Sequence, residues 1–201
     1  MRDLLAGWCA ANSRADELGR TLNAVYKEPH RRYHSVAHIE HCLSELARVK
    51  RNAVHPDEVK WALLFHDAIY DPRRDDNEAR SAEWACQLMA ELGRPEEATE
   101  RVRRMILATS HAAEAQTPDQ ALLLDIDLAI LGADEAVFDA YDRAVREEYA
   151  HLSEEAYRKG RAEILRSFLR REPLFHTAPF RERYETRARA NIDRALARLL
   201  D

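Results

Sequence analysis

The chain has 201 residues, 46% of them hydrophobic and 33% charged, with a formal net charge of −5. That mixture excludes a disordered chain, and no apolar run approaches the ~20 residues a membrane-spanning helix needs. The negative balance argues against a general nucleic-acid binder. Only 5 glycines occur, and Ala, Leu, Glu and Arg dominate, which points to helices.

Residues 2–12 read as a short amphipathic helix with Leu4, Leu5 and Trp8 on one side. The N-terminus carries no secretory h-region or lipidation motif, and Cys9, Cys42 and Cys86 form no C-x-x-C. Both features predict a cytoplasmic protein with reduced thiols. Ser13 is an N-cap candidate for a helix over about 14–28, where Leu18, Leu22 and Val25 recur at helical spacing and Pro29 ends the run.

His34, His38 and His41 then fall within eight positions. On a helix, residues four apart share one face, so His34 and His38 suit a common cation, and His41 could lie near them. The plainer reading is a solvated, histidine-rich helix start. A helix over about 35–50 follows, then a loop at 51–55.

Pro56 sits at the first position of the next helix, with Asp57 and Glu58 in its first turn. Val59, Ala62, Leu63 and Phe65 wrap most of its last turns, and the run ends in His66-Asp67. A buried carboxylate costs several kcal/mol unless it is paired or bound to a cation. With a neutral imidazole beside it, the pair suits a divalent metal that takes nitrogen and oxygen donors. Taken alone, a His-Asp dipeptide is more often a satisfied core histidine beside a helix-end charge.

Tyr70 to Asp76 is a polar loop, and Asn77 is the expected cap of a helix over about 78–92 that stops at Gly93. Pro95 opens a helix over 95–110, with Val102, Met105 and Ile106 inward, and 112–117 is a loop. From Pro118 a further apolar helix runs through Asp125 and Asp127 to Leu131, closed by Gly132. Two aspartates in an apolar run again ask for partners: one as metal ligand, the other as support for a histidine or a backbone group. Three more helices are expected, over about 135–150 (capped by Asp134), 154–171 (capped by Ser153) and 180–200. No internal repeat, low-complexity tract or domain boundary stands out.

The order of these elements — a histidine motif, then His-Asp, then an aspartate on a later helix — resembles the HD superfamily of metal-dependent phosphohydrolases. The strings that carry the resemblance are Arg32-Tyr33-His34-Ser35 with His38-Ile39, Phe65-His66-Asp67-Ala68-Ile69-Tyr70, Asn77-Glu78 with Ser81-Ala82, and Asp125 to Gly132. Arg146-Glu147-Glu148-Tyr149, Gly160-Arg161 and Ala188-Arg189-Ala190-Asn191 extend it over nearly the whole chain. They look like those of small bacterial proteins described as predicted phosphohydrolases of that superfamily.

The resemblance implies an all-α, single-domain HD-type helical bundle, its metal-site core over about 30–132 and a C-terminal helical extension over about 134–200. It implies metal ligands His38, His66, Asp67 and Asp127, with Asp125 the alternative to Asp127. His111 is similar to the extra histidine of binuclear sites. His34 becomes the proton donor, by likeness to the Tyr-His-Asn-x-x-x-His stretch of cyclic-nucleotide phosphodiesterases, although Ser35 replaces the asparagine and the two histidines stand four apart rather than five. His34 and His38 are therefore both candidates for the first ligand.

Asp67 is expected to orient the attacking water and Glu78 to assist as a base. Arg146 and Arg161, with Lys159 in reserve, are expected to clamp a phosphate. The cofactor implied is a divalent metal (Mn, Mg, Zn, Ni, Co or Fe). The partner implied is a small phosphorylated substrate, with no membrane and no stable nucleic-acid partner, and with room for a homodimer. Two other readings share the pattern: a binuclear iron oxygenase of the same superfamily, and a nucleotide-sensing module without turnover.

Overall fold

The computed structural model describes residues 13–111 and 114–200, so the expected helix over 2–12 lies outside the described residues. Among the described residues there is no strand: the chain is all-α, as its composition and periodicity led one to expect. None of these helices is long and apolar enough to cross a membrane. The chain divides into two compact units, residues 1–123 and 124–201.

The first unit holds α1 (Ser13–Val25), α2 (Val36–Val49), α3 (Pro56–Phe65), α4 (Asn77–Glu91), α5 (Glu96–Ala108) and the start of α6 (Pro118–Asp127). Its centre is α3, which packs against α2, α4 and α5. Val59, Trp61, Ala62, Leu63, Leu64 and Phe65 are all essentially inaccessible. A helix apolar on every side must be surrounded, and each large side chain withdrawn from water contributes about 1.5–3 kcal/mol. Trp61 stacks on Phe65, and Trp84 of α4 meets Phe65 edge-on. A buried carboxylate, Asp119, fastens the 54–55 loop by accepting from the Val54 and His55 N–H groups.

α1 stops at Val25, short of the expected 28, because the next bonds shorten to three-residue spacing, from Lys27 N–H to Ala24 and Glu28 N–H to Val25. The Tyr26 hydroxyl then donates to the Leu64 carbonyl of α3. Asn77 is the first residue of α4 and not its cap, since its amide is engaged with Asp71 instead.

The second unit comprises the end of α6, a 3-10 turn (Leu128–Gly132), α7 (Glu135–Glu148), α8 (Glu154–Leu169) and α9 (Ala178–Leu200). The apolar run expected as one helix to Leu131 leaves α-geometry at Asp127. Side chains of α9 explain the change. Asn191, almost fully buried, donates to the carbonyls of Leu131 and Ala133, and Arg187 donates to that of Gly132. These carbonyls are thus satisfied without a continuing helix. Gly132 is required there: a Cβ would sit 2.5 Å from Cβ and 2.9 Å from Cα of Tyr184.

Candidate metal centre

His66 closes α3, its N–H still bonded to the Ala62 carbonyl, and the chain turns sharply with Ala68 N–H on the Phe65 carbonyl. The next five residues are fastened one after another by side chains from elsewhere in the first unit. The Arg31 guanidinium donates to the carbonyls of Asp67 (2.6 Å) and Ala68 (3.1 Å). Ser81, fully buried on α4, accepts from Ile69 N–H and donates to its carbonyl. The His30 ring meets the Tyr70 carbonyl, and Asn77 brackets Asp71 through both its N–H and its carbonyl. A turn whose five carbonyls are each engaged holds its side chains in fixed directions.

Three donor atoms converge where this turn meets the first turn of α2. His38 Nε2 lies 3.2 Å from His66 Nε2. Asp67 Oδ2 lies 2.9 Å from His66 Nε2 and 3.5 Å from His38 Nε2. Both imidazoles are buried, whereas the Asp67 side chain keeps 17% of its surface exposed. Oδ2 itself is buried and accepts no hydrogen bond of good geometry.

The His66 tautomer follows from its other nitrogen. Nδ1 is 2.9 Å from the Leu63 carbonyl, which can only accept, so Nδ1 carries the proton. In the neutral ring the Nε2 lone pair therefore faces His38 and Asp67. A neutral His66 lone pair and a carboxylate oxygen 2.9 Å apart need a cation between them, a proton or a metal ion. Two imidazole nitrogens and one carboxylate oxygen, all within 4.8 Å of one another, match the donor chemistry of borderline divalent metals. The residues present fit such an ion.

Burial by itself would raise the Asp67 carboxyl. When protonated, the imidazoles of His66, His34 and His38 outweigh it and hold the group well below the usual carboxylate range. Cys42, one turn past His38 on α2 and fully buried, places Sγ 3.7 Å from His38 Nε2. Cys42 and Cys86 are unbridged.

His34 precedes α2, so it does not share a helix face with His38. It still belongs to the cluster's aromatic rim, its ring centroid 4.3 Å from Tyr70 in a stack and 6.1 Å from His38. His41 lies outside the group of converging donors. So does His111, half-buried at the end of α5 with a left-handed backbone (φ 55°). Glu78 is half-buried in the first turn of α4 and makes no hydrogen bond or ion pair among the described residues.

The remaining residues singled out from sequence belong to the second unit. Asp125 accepts from His176 N–H, Thr177 N–H and the Thr177 hydroxyl, which gives this buried carboxylate a supporting role toward backbone. Asp127 is half-buried as the last residue of α6. Arg146 holds Glu154 and the Tyr149 carbonyl, and its guanidinium lies over the Tyr157 ring. Arg161 is buried and grips Asp142 Oδ1 through two nitrogens, whereas Lys159 is exposed.

Arg31 is the site residue that sequence reading left without a role. Its spacing, three after Glu28 and three before His34, was the available signal. Comparison of the chain with family models, with curated proteins and with solved structures finds no match.

Proposed function

We propose that the protein is a metal-dependent phosphohydrolase that cleaves a phosphoester or phosphoanhydride of a nucleotide or another small phosphorylated metabolite. One observation carries the reading: His38 Nε2, His66 Nε2 and Asp67 Oδ2 converge with no hydrogen bond closing Oδ2. His38, His66 and Asp67 would hold a divalent cation. Such an ion, when bound, supplies an acidified water and a counter-charge for the phosphoryl oxygens.

The chain's own groups supply the rest. The Leu63 carbonyl keeps the His66 proton on Nδ1, so Nε2 stays a donor of electrons. Asp67, fixed through its backbone, holds a carboxylate oxygen where a nucleophilic water needs an acceptor. His34, stacked on Tyr70, can hold a proton for the leaving oxygen.

The deciding experiment measures phosphate release by manganese-loaded protein over a panel of nucleotides and phosphomonoesters, with Asp67→Ala beside it. Turnover lost in the variant is the expected result. No turnover anywhere, with metal present by elemental analysis, would overturn the hydrolase and leave the oxygenase or the sensor, between which the metal's identity chooses.

A further inference from the structure

Arg31 is a buried cation whose side chain is 1% exposed, while its only carboxylate partner among the described residues, Glu28, is 42% exposed. Burying a guanidinium is costly unless every donor is met. Here the donors are met largely by backbone. Nε donates to Glu28 Oε2 at 3.0 Å, Nη1 to the carbonyls of His34 (3.2 Å) and Asp67 (2.6 Å), and Nη2 to that of Ala68 (3.1 Å). The guanidinium carbon lies 5.2 Å from the Tyr26 ring centroid and 5.4 Å from that of Tyr70.

The three carbonyls belong to two separate stretches of chain. His34 is the proposed proton carrier, Asp67 the carboxylate of the donor cluster, and Ala68 the residue after it. A single rigid plane thus sets the spacing between the stretch that holds the proton and the stretch that holds the carboxylate. We infer that Arg31 is a positioning residue for the metal centre, acting on His34 and Asp67 through their main-chain carbonyls. The inference rests on the metal-site reading of His38, His66 and Asp67.

The chemistry is particular to arginine. A planar fork spreads its donors over several ångströms in fixed directions, whereas an ammonium offers three from one point and cannot span carbonyls on two chain segments. Side chains that orient metal ligands from outside typically govern affinity by about 10–100-fold.

The test is manganese(II) binding to the full chain, followed by the electron paramagnetic resonance signal of the free ion, with helical circular dichroism recorded on each variant. Wild type is expected to bind and Asp67→Ala to lose binding. Arg31→Lys is expected to bind about 10–100-fold more weakly while keeping its helical signal. In Arg31→Ala, added methylguanidinium is expected to restore affinity and methylammonium to fail, a distinction that simple filling of space would not produce.

Should the Arg31 variants lose their helical signal, Glu28→Ala carries the same question. Its half-exposed side chain tolerates truncation, and freeing Nε is expected to weaken manganese binding measurably, by less than Arg31→Lys does. Wild-type affinity in folded Arg31→Lys, or in Glu28→Ala where the Arg31 variants do not fold, overturns the positioning role alone. Equal, weak binding by wild type and Asp67→Ala overturns the metal centre itself, and the inference with it.

Discussion

Two aspartates in this molecule sit at the ends of apolar helical runs, and their surroundings are opposite. Asp125, 1% exposed, is met by donors only: two backbone N–H groups at 2.7 Å and the Thr177 hydroxyl at 2.6 Å. Asp67 Oδ2 is met by two imidazole nitrogens and no hydrogen bond. For both carboxyls burial is the largest influence and favours the protonated form. In Asp125 burial wins, and the group lies above its ordinary value. In Asp67 the imidazoles win, and it lies below. A carboxylate ringed by donors is closed, and its work is to hold chain. A carboxylate met by imidazole nitrogens, with no backbone donor on its buried oxygen, is open to a cation, whether a proton on the rings or a metal ion. Burial does not separate the two cases; the identity of the neighbouring atoms does.

The strongest way to break this comparison is to exchange the expected losses. Asp67→Ala is expected to weaken manganese binding by more than about 100-fold, roughly 2.7 kcal/mol, while far-UV circular dichroism stays helical. Full metal occupancy in that variant would remove the site assignment. Asp125→Ala is expected to do the reverse. It leaves His176 N–H and Thr177 N–H without acceptors, at a cost of about 2–4 kcal/mol. A chain of this size should then melt roughly 5–12 °C lower, with manganese affinity retained. Loss of metal from folded Asp125→Ala, with no change in melting, would mean that the closed carboxylate had been misassigned.

How much of this contrast could be read in the sequence follows from the distances along the chain. The helices were legible because Leu, Ala, Glu and Arg recur at helical spacing and glycine is scarce. His66-Asp67 stood out because charge follows an apolar run. The fastening of the turn was hidden: Arg31 reaches Asp67 across 36 residues, and His30 reaches Tyr70 across 40. Asp125 was recognised as needing a partner, but its partners lie 51 and 52 residues later, beyond any local pattern. The passage from α-helix to 3-10 turn after Asp127 was equally hidden, since it depends on Asn191 and Arg187 rather than on the residues that change winding.

His34 gives the comparison a sharper edge, because it stands beside the open carboxylate without joining the donor cluster. His34→Ala is expected to retain manganese and lose about 100-fold in turnover on whichever phosphoester the panel identifies. Equilibrium metal titration beside steady-state rates separates the two effects. Metal lost together with rate would make His34 a ligand and pass the proton to His38.

The mildest test asks whether burial really wins wherever donors and lone pairs do not oppose it. Tyr157 in α8 is 6% exposed, and burial pushes its hydroxyl from 10.0 up to about 12. Between those values the unfolded chain has released the proton and the folded chain has kept it. The folded state therefore binds more protons, and stability falls as pH rises across that window. Complete titration would cost at most about 2–3 kcal/mol, and the stability is fully present below pH ~10. Denaturant unfolding at steps from pH 9 to 12 should show the decline, and Tyr157→Phe should flatten it, since a phenyl ring has no proton to lose. An undiminished decline in Tyr157→Phe would assign the alkaline loss to other groups and remove Tyr157 as a case in which burial sets proton affinity.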